Sequence, residues 1–371
     1  MSLEEQTITR AQEAPAPEKV HKRYTIKEVT NFNWGYVIKR AFNKFGTDGC
    51  TDMAAALTYH AVLSIFPALL AVVSLLGVFG RGQETTHAII NFISDIAPAE
   101  VLSIVEEPIS QLTSSSAAGL ALITGVVGAL WTASGYIGAF GRALNRLYGV
   151  VEGRPIWKLR PQNLLVTAIL VFMLVLMLMV LLMSGGVLTF ISDSVPGLDL
   201  TAFTSVWLWF RWPIILCLAV ALVALLYHGT PNVKQPKLRI FSAGAAFALV
   251  SMGIAGLGFS FYVSNFGKYN ATYGLIGAVI VMLLFIWIMN NVLLLGAEID
   301  AEIERMRELR AGISAEEFVQ LRPRDNTQAI KIIETKEKFI AEGKAIRLSQ
   351  NGLDYQALAQ KLEKEKSSPQ Q

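Results

Sequence analysis

The sequence predicts an all-α fold: a polytopic membrane helical bundle of six transmembrane helices, with both termini in the cytoplasm. Three observations predict it. The 371 residues are 53% hydrophobic and only 16% charged, whereas soluble domains carry about a quarter charged residues. The charges gather in blocks with long uncharged runs between them, as expected when helices of ~20 apolar residues cross a hydrocarbon layer. Lys and Arg fall on alternate loops, the pattern of cytoplasmic segments.

Residues 1–32 are polar, Pro-containing and aperiodic, and read as a disordered cytoplasmic N-terminus. Glu4, Glu5 and Glu13 precede any apolar run, so a cleavable signal peptide is not expected. Residues 33–52 contain an amphipathic cytoplasmic helix. Trp34, Val37, Ile38, Phe42 and Phe45 share one face, with Lys39, Arg40 and Lys44 elsewhere. Such a helix fits the headgroup layer and the underside of a bundle equally well.

The six-span membrane domain is expected over 53–298, with spans at about 54–80, 117–139, 164–190, 206–228, 241–264 and 273–297. The third run has 27 residues and no charge. As a helix it rises ~40 Å, enough to cross a ~30 Å core with tilt. Lipid offers no partner to a free backbone group, so runs this long must be helical.

Orientation follows from the basic residues. Of the 32 Lys and Arg, 29 fall before the first span, in loops 140–163 and 229–240, or after residue 297. Only Arg81, Arg211 and Lys268 lie on the other side. That asymmetry puts both ends inside. The long outer loop 81–116 has apolar residues at helical spacing on either side of Pro98, which predicts two short amphipathic helices. Residues 299–371 read as a charged, helical, solvated cytoplasmic tail, with a helix over about 327–348 and a shorter one including Tyr355 to Leu362. Cys50 and Cys217 lie in different blocks, so no disulfide is expected.

Polar groups inside lipid are costly and mark candidate sites. Span one holds Tyr59, His60, Ser64 and Pro67, and span two holds Trp131 and Ser134. Span six holds Asn290 and Asn291, with Glu298 at its end. These nine are the candidate lining of a cavity or transport path, although interhelical bonding is the commoner role of such residues. Glu298 is expected near the inner surface, paired with a base from the loop after span two or solvated. Arg142, Arg146, Arg154, Lys158 and Arg160 form a basic cluster beside Trp157 and are the candidate contacts for anionic headgroups. Span five, with Gly244, Gly253, Gly256 and Gly258, reads as tightly packed.

Four segments carry a family resemblance: AAALTYHAVLSIFPALLAVVSLLG (54–77), WTASGYIGAFGRALNRLYGVVEGRP (131–155), YHGTPN (227–232) and YGLIGAVIVMLLFIWIMNNVLLLGAEIDAE (273–302). In this order they resemble the YihY/BrkB family of bacterial inner-membrane proteins, over roughly residues 35–305. The family pattern has a tyrosine where His60 stands. The resemblance implies a multi-pass protein of the bacterial cytoplasmic (inner) membrane, with some members linked to virulence or envelope integrity. Members have also carried a ribonuclease label. This sequence argues against that activity, with only four histidines and no carboxylate cluster suited to two-metal chemistry.

No catalytic residue, metal site or cofactor is therefore expected, and no nucleic-acid partner. Membrane lipids are the expected partners, with envelope proteins a further possibility; oligomeric state is not encoded legibly. The leading functional reading is transport or positioning of a lipid or other amphiphile. A non-catalytic membrane scaffold is the alternative. An ion or small-solute channel ranks third, because the spans hold few ionisable groups.

Overall fold

The computed structural model describes residues 2–14, 33–79, 118–183, 201–235, 242–266 and 270–349. Nine helices occupy these residues: α1 (Leu3–Glu13), α2 (Trp34–Thr47), α3 (Cys50–Phe79), α4 (Ala118–Leu147), α5 (Ile156–Leu182), α6 (Thr201–Gly229), α7 (Ala243–Phe266), α8 (Asn270–Arg310) and α9 (Thr327–Ser349). The fold is all-α among the described residues, apart from one antiparallel bridge between Val233 and Pro323. The outer loop 81–116 and the segment after residue 349 lie outside the described residues.

Among the described residues, five stretches are long and apolar enough to cross a membrane: Ile123–Leu147, Ile156–Leu181, Phe203–Gly229, Ala243–Val263 and Val279–Arg310. The first predicted span is carried by the 30-residue helix α3. Large apolar side chains such as Trp209 (82% exposed), Leu257 and Phe261 face outward. A soluble protein does not leave apolar surface of this extent open.

Helix α5 starts at Ile156, eight residues before the predicted start. Pro161 stands in its second turn, where it forfeits only the bond to the Trp157 carbonyl. The main core joins α3, α4, α6, α7 and α8 through Leu57, Phe140, Leu144, Tyr227, Ala248 and Leu294. Helices α7 and α8 cross at two glycines. A Cβ on Gly244 would lie 2.1 Å from the Gly296 carbonyl oxygen, and one on Gly296 would lie 2.6 Å from that of Gly244. The crossing therefore requires glycine on both sides. The close packing expected of span five is confined to this crossing: a Cβ on Gly253, Gly256 or Gly258 would meet none of the described residues within 4 Å, and Ile254 and Leu257 are exposed.

The expectation of disorder fails at the N-terminus. Residues 3–13 form α1, started by a capping box between Ser2 and Glu5. Thr7 and Arg10 are buried in it. Composition hid the helix because its stability comes from docking rather than propensity. The Ser2–Glu5 spacing was the available signal.

The tail is not a solvated appendage along its first part. Glu302, Arg305 and Glu308 are all buried, and residues 311–326 thread between the inner loops. Lys234 N–H donates to the Arg322 carbonyl (2.8 Å), Arg324 N–H to the Asn232 carbonyl (3.0 Å) and Gln328 N–H to the Gly153 carbonyl (2.9 Å). The predicted helix over 327–348 is present as α9.

Candidate functional site

The polar residues singled out from the sequence separate into three places. In the bundle core, Tyr136 of α4 donates to Asn290 Oδ1 of α8 (2.8 Å), and Asn290 Nδ2 donates to Thr58 Oγ1 of α3 (3.1 Å). Tyr136, Phe140 and Tyr227 continue this link as stacked rings, and the Tyr227 hydroxyl donates to the Leu293 carbonyl (2.5 Å). This is a satisfied interhelical network binding α3, α4, α6 and α8. Tyr136, Thr58 and Tyr227 were not among the candidates. Asn290 was, and its partners lie on other helices at positions no spacing rule reveals.

Other candidates bond within their own helices. Ser64 donates to the His60 carbonyl (2.9 Å), Ser134 to that of Trp131 (2.7 Å) and Asn291 to that of Trp287 (2.8 Å). Tyr59 and Trp131 point outward, 62% and 57% exposed. Pro67 falls inside α3, and its side chain lies outside the described residues. The nine candidates therefore do not line one common cavity.

The second place is an inner hub built by the loops. Arg154 is buried and grips Glu152 through Nε (2.7 Å) and Nη2 (2.6 Å), with Nη2 also donating to the Thr230 carbonyl (2.8 Å). Asn145 Nδ2 donates to Glu152 (3.0 Å), and Asn145 Oδ1 accepts from Asn232 N–H (2.6 Å). Asn232 Nδ2 in turn donates to the carbonyls of Val151 (3.0 Å) and Asp325 (2.8 Å). From α1, Arg10 donates to the carbonyls of Tyr148, Val319 and Gly149. Two of the family-like segments thus meet here, and Arg154 is a structural pair rather than a free cation. Lys158 is bound to Asp325 (2.9 Å). Burial pulls the Asp325 carboxyl upward, but hydrogen bonds from Thr327 and Lys158 outweigh it and hold the group at about 2.

The third place lies on the exposed surface of the bundle. Arg142 is exposed near the inner end of α4, and no hydrogen bond or ion pair reaches it from the described residues. Helices α3, α4 and α5 converge beside it on a strip of two glycines. A Cβ on Gly135 would lie 3.2 Å from His60 Nδ1, and one on Gly138 would lie 3.0 Å from Asn163 Nδ2 and 3.6 Å from Arg142. The Arg160 guanidinium lies 5.4 Å from the centroid of the exposed Trp131 ring. Arg146 is exposed one turn beyond Arg142. Of the five basic candidates, Arg142, Arg146 and Arg160 remain available to a ligand. Among the described residues, no group of three His, Cys, Asp or Glu side chains is arranged to hold a metal.

These features define a multi-pass bacterial membrane protein. Residues 41–318 match the family described as Virulence factor BrkB, and the chain belongs to that family. It is 32% identical over 272 residues to the ribonuclease-like protein YfkH of Bacillus subtilis (strain 168), covering 73% of this chain and 96% of that one. It is 28% identical to a UPF0761 membrane protein of Rhodospirillum centenum, covering 73% of this chain but 58% of that longer one. A UPF0761 membrane protein of Aggregatibacter aphrophilus is 26% identical over 72% of this chain and 91% of its own length. No solved structure matches. Helix α1 and everything beyond residue 318 lie outside the family match.

Proposed function

We propose that this protein moves or positions a lipid or other amphiphile, with an anionic headgroup held at the inner boundary by Arg142, Arg146 and Arg160. One observation carries the reading. Arg142 presents a cation on lipid-facing surface, where a counter-ion is required and none of the described residues supplies it. The surrounding groups suit a phosphate. His60 and Asn163 flank the site, and Trp131 is an aromatic of the kind that sits at headgroup depth. The two glycines let His60 and Asn163 lie against the α4 backbone beside Arg142.

This reading includes six spans, with α3 as the first, and both termini on the cytoplasmic side, where the basic residues gather. It is non-enzymatic. The drive would come from a gradient, a partner or lipid mass action. Lipids retained on gently purified protein, weighed by mass spectrometry against an unrelated six-helix protein, test it. Enrichment of one anionic class that disappears in Arg142→Ala is the expected result. A profile equal to the bulk membrane in both proteins refutes it.

A scaffold role has one observation of its own. Helix α9 carries a groove of about 670 Å³ lined by Lys331, Ile332, Lys336, Phe339 and Ile340. Recovery of one stoichiometric protein from a photo-cross-linker at Phe339 would favour that reading.

A further inference from the structure

Glu298 begins the charged end of α8, one residue past the predicted sixth span. Its side chain is fully buried, and neither carboxylate oxygen has a hydrogen-bond partner. The pairing expected with the loop after span two is not formed, and burial keeps the side chain out of bulk solvent. The next carboxylates along the helix are all held. Asp300 accepts from the Gly244 N–H (2.8 Å). Glu302 is bound by Arg305 (3.0 Å) and Arg40 (3.2 Å), Glu304 by Arg307 (3.0 Å), and Glu308 by the Gln320 N–H (2.6 Å).

The groups facing Glu298 do not supply a free counter-charge. From the end of α2 come Lys44 and Asp48, already paired with each other at 2.8 Å. From α3 comes the buried Cys50. Tyr148 faces it from the loop after α4. On its own helix stand Glu302 and Arg305, bound to one another. A buried carboxylate without a donor or a free cation is strongly disfavoured, and uptake of a proton removes the charge.

We propose that Glu298 is a proton-binding site. It carries a proton while the turn at Asp48–Gly49 and the start of α3 lie closed against α8, and it releases that proton to cytoplasmic water when they part. The hinge is the two-residue link Asp48–Gly49 between α2 and α3, in which Gly49 holds φ +70°, a conformation open to glycine. The closed form then holds one more proton than the open form, so rising pH favours opening. This site shares no residue with the headgroup groove, and the two readings stand or fall separately.

The test uses the full chain in lipid nanodiscs. Infrared difference spectra should show the carbonyl band of a protonated carboxyl at neutral pH in the wild type and not in Glu298→Gln. Hydrogen exchange of residues 44–52 is then followed from about pH 5 to about pH 9, as the ratio of wild type to Glu298→Gln, so that intrinsic exchange cancels. The ratio should start near one and rise with pH, by up to about tenfold per unit. Absence of the band, or a flat ratio, overturns the proposal. Lys44→Met provides a second variant, in which Asp48 is left uncompensated and Glu298 should keep its proton to higher pH in the closed form, so the rise should continue to higher pH before it levels off. A plateau reached at an unchanged or lower pH in that variant also overturns it.

Discussion

The backbone at Gly153 runs so close to Asp325 that a Cβ on the glycine would lie 1.8 Å from the Asp325 carbonyl oxygen. This contact clamps the loop after α4 onto the tail. Gly153→Ala should force the two strands apart and cost about 1–3 kcal/mol. Protease cleavage after residue 311 in intact nanodisc-embedded protein should speed up accordingly, with little change in helix content.

Two arginines that look equivalent in the sequence should behave oppositely. Arg154 is buried and bound to Glu152 and Thr230, so Arg154→Ala should cost about 3–5 kcal/mol, the range for breaking a buried pair. Arg142 is exposed, and Arg142→Ala should change stability by less than about 0.5 kcal/mol while abolishing anionic-lipid enrichment. Thermal melts and lipid mass spectrometry on the same two preparations check both statements.

The core network makes Asn290 a stability residue. Asn290→Leu removes the partner of Tyr136 and of Thr58 together and should lower stability by about 1–3 kcal/mol. Tyr136→Phe in that background should cost less than in the wild type, because its hydroxyl no longer has an acceptor to lose. A double-mutant cycle on thermal unfolding measures the difference.

Asp325 ties the tail to acid conditions. Its carboxyl is held at about 2 against an ordinary 3.8. A depressed acid adds stability above its ordinary value and loses it as pH falls through the depressed one. Tail docking should therefore weaken between about pH 4 and about pH 2. In Thr327→Ala, which lacks one donor to Asp325, the loss should be smaller and should be complete at higher pH. Pepsin cleavage rates across this range would show the difference, and identical profiles would exclude it.

Helix α1 should act as a latch. Arg10 reaches carbonyls of both the α4–α5 loop and the tail, so Arg10→Ala should free residues 2–14 and raise hydrogen exchange at Val319 and nearby tail residues. The spans should be little affected, since the hydrogen bonds of Arg10 outside α1 end on Tyr148, Gly149 and Val319.

The all-α class and the long apolar helices were legible because hydrocarbon permits few solutions. An uncharged run of 27 residues must become a helix that satisfies its own backbone. The family was legible in four segments, and two of them turned out to build the inner hub. The site was legible only as residue types. Asn290 and Arg142 could be named, but nothing in their spacing shows that one is spent inside the core and the other left open. Helix α1 was masked by polar composition, and Glu298 by its place at a span end, where solvent is the ordinary neighbour.

The sequence by itself determined class, helix positions and the charge asymmetry of the loops, because these depend on local hydropathy and on the length of each run. Only the tertiary structure decided which polar groups are satisfied. That question turns on partners brought from elsewhere in the chain, such as Glu152 and Thr230 for Arg154, or Thr58 and Tyr136 for Asn290. Glu298 shows the same dependence in reverse: its neighbours come from α2, α3 and the loop after α4 as well as its own helix, and the charges nearest it are already bound in pairs, Lys44 with Asp48 and Arg305 with Glu302.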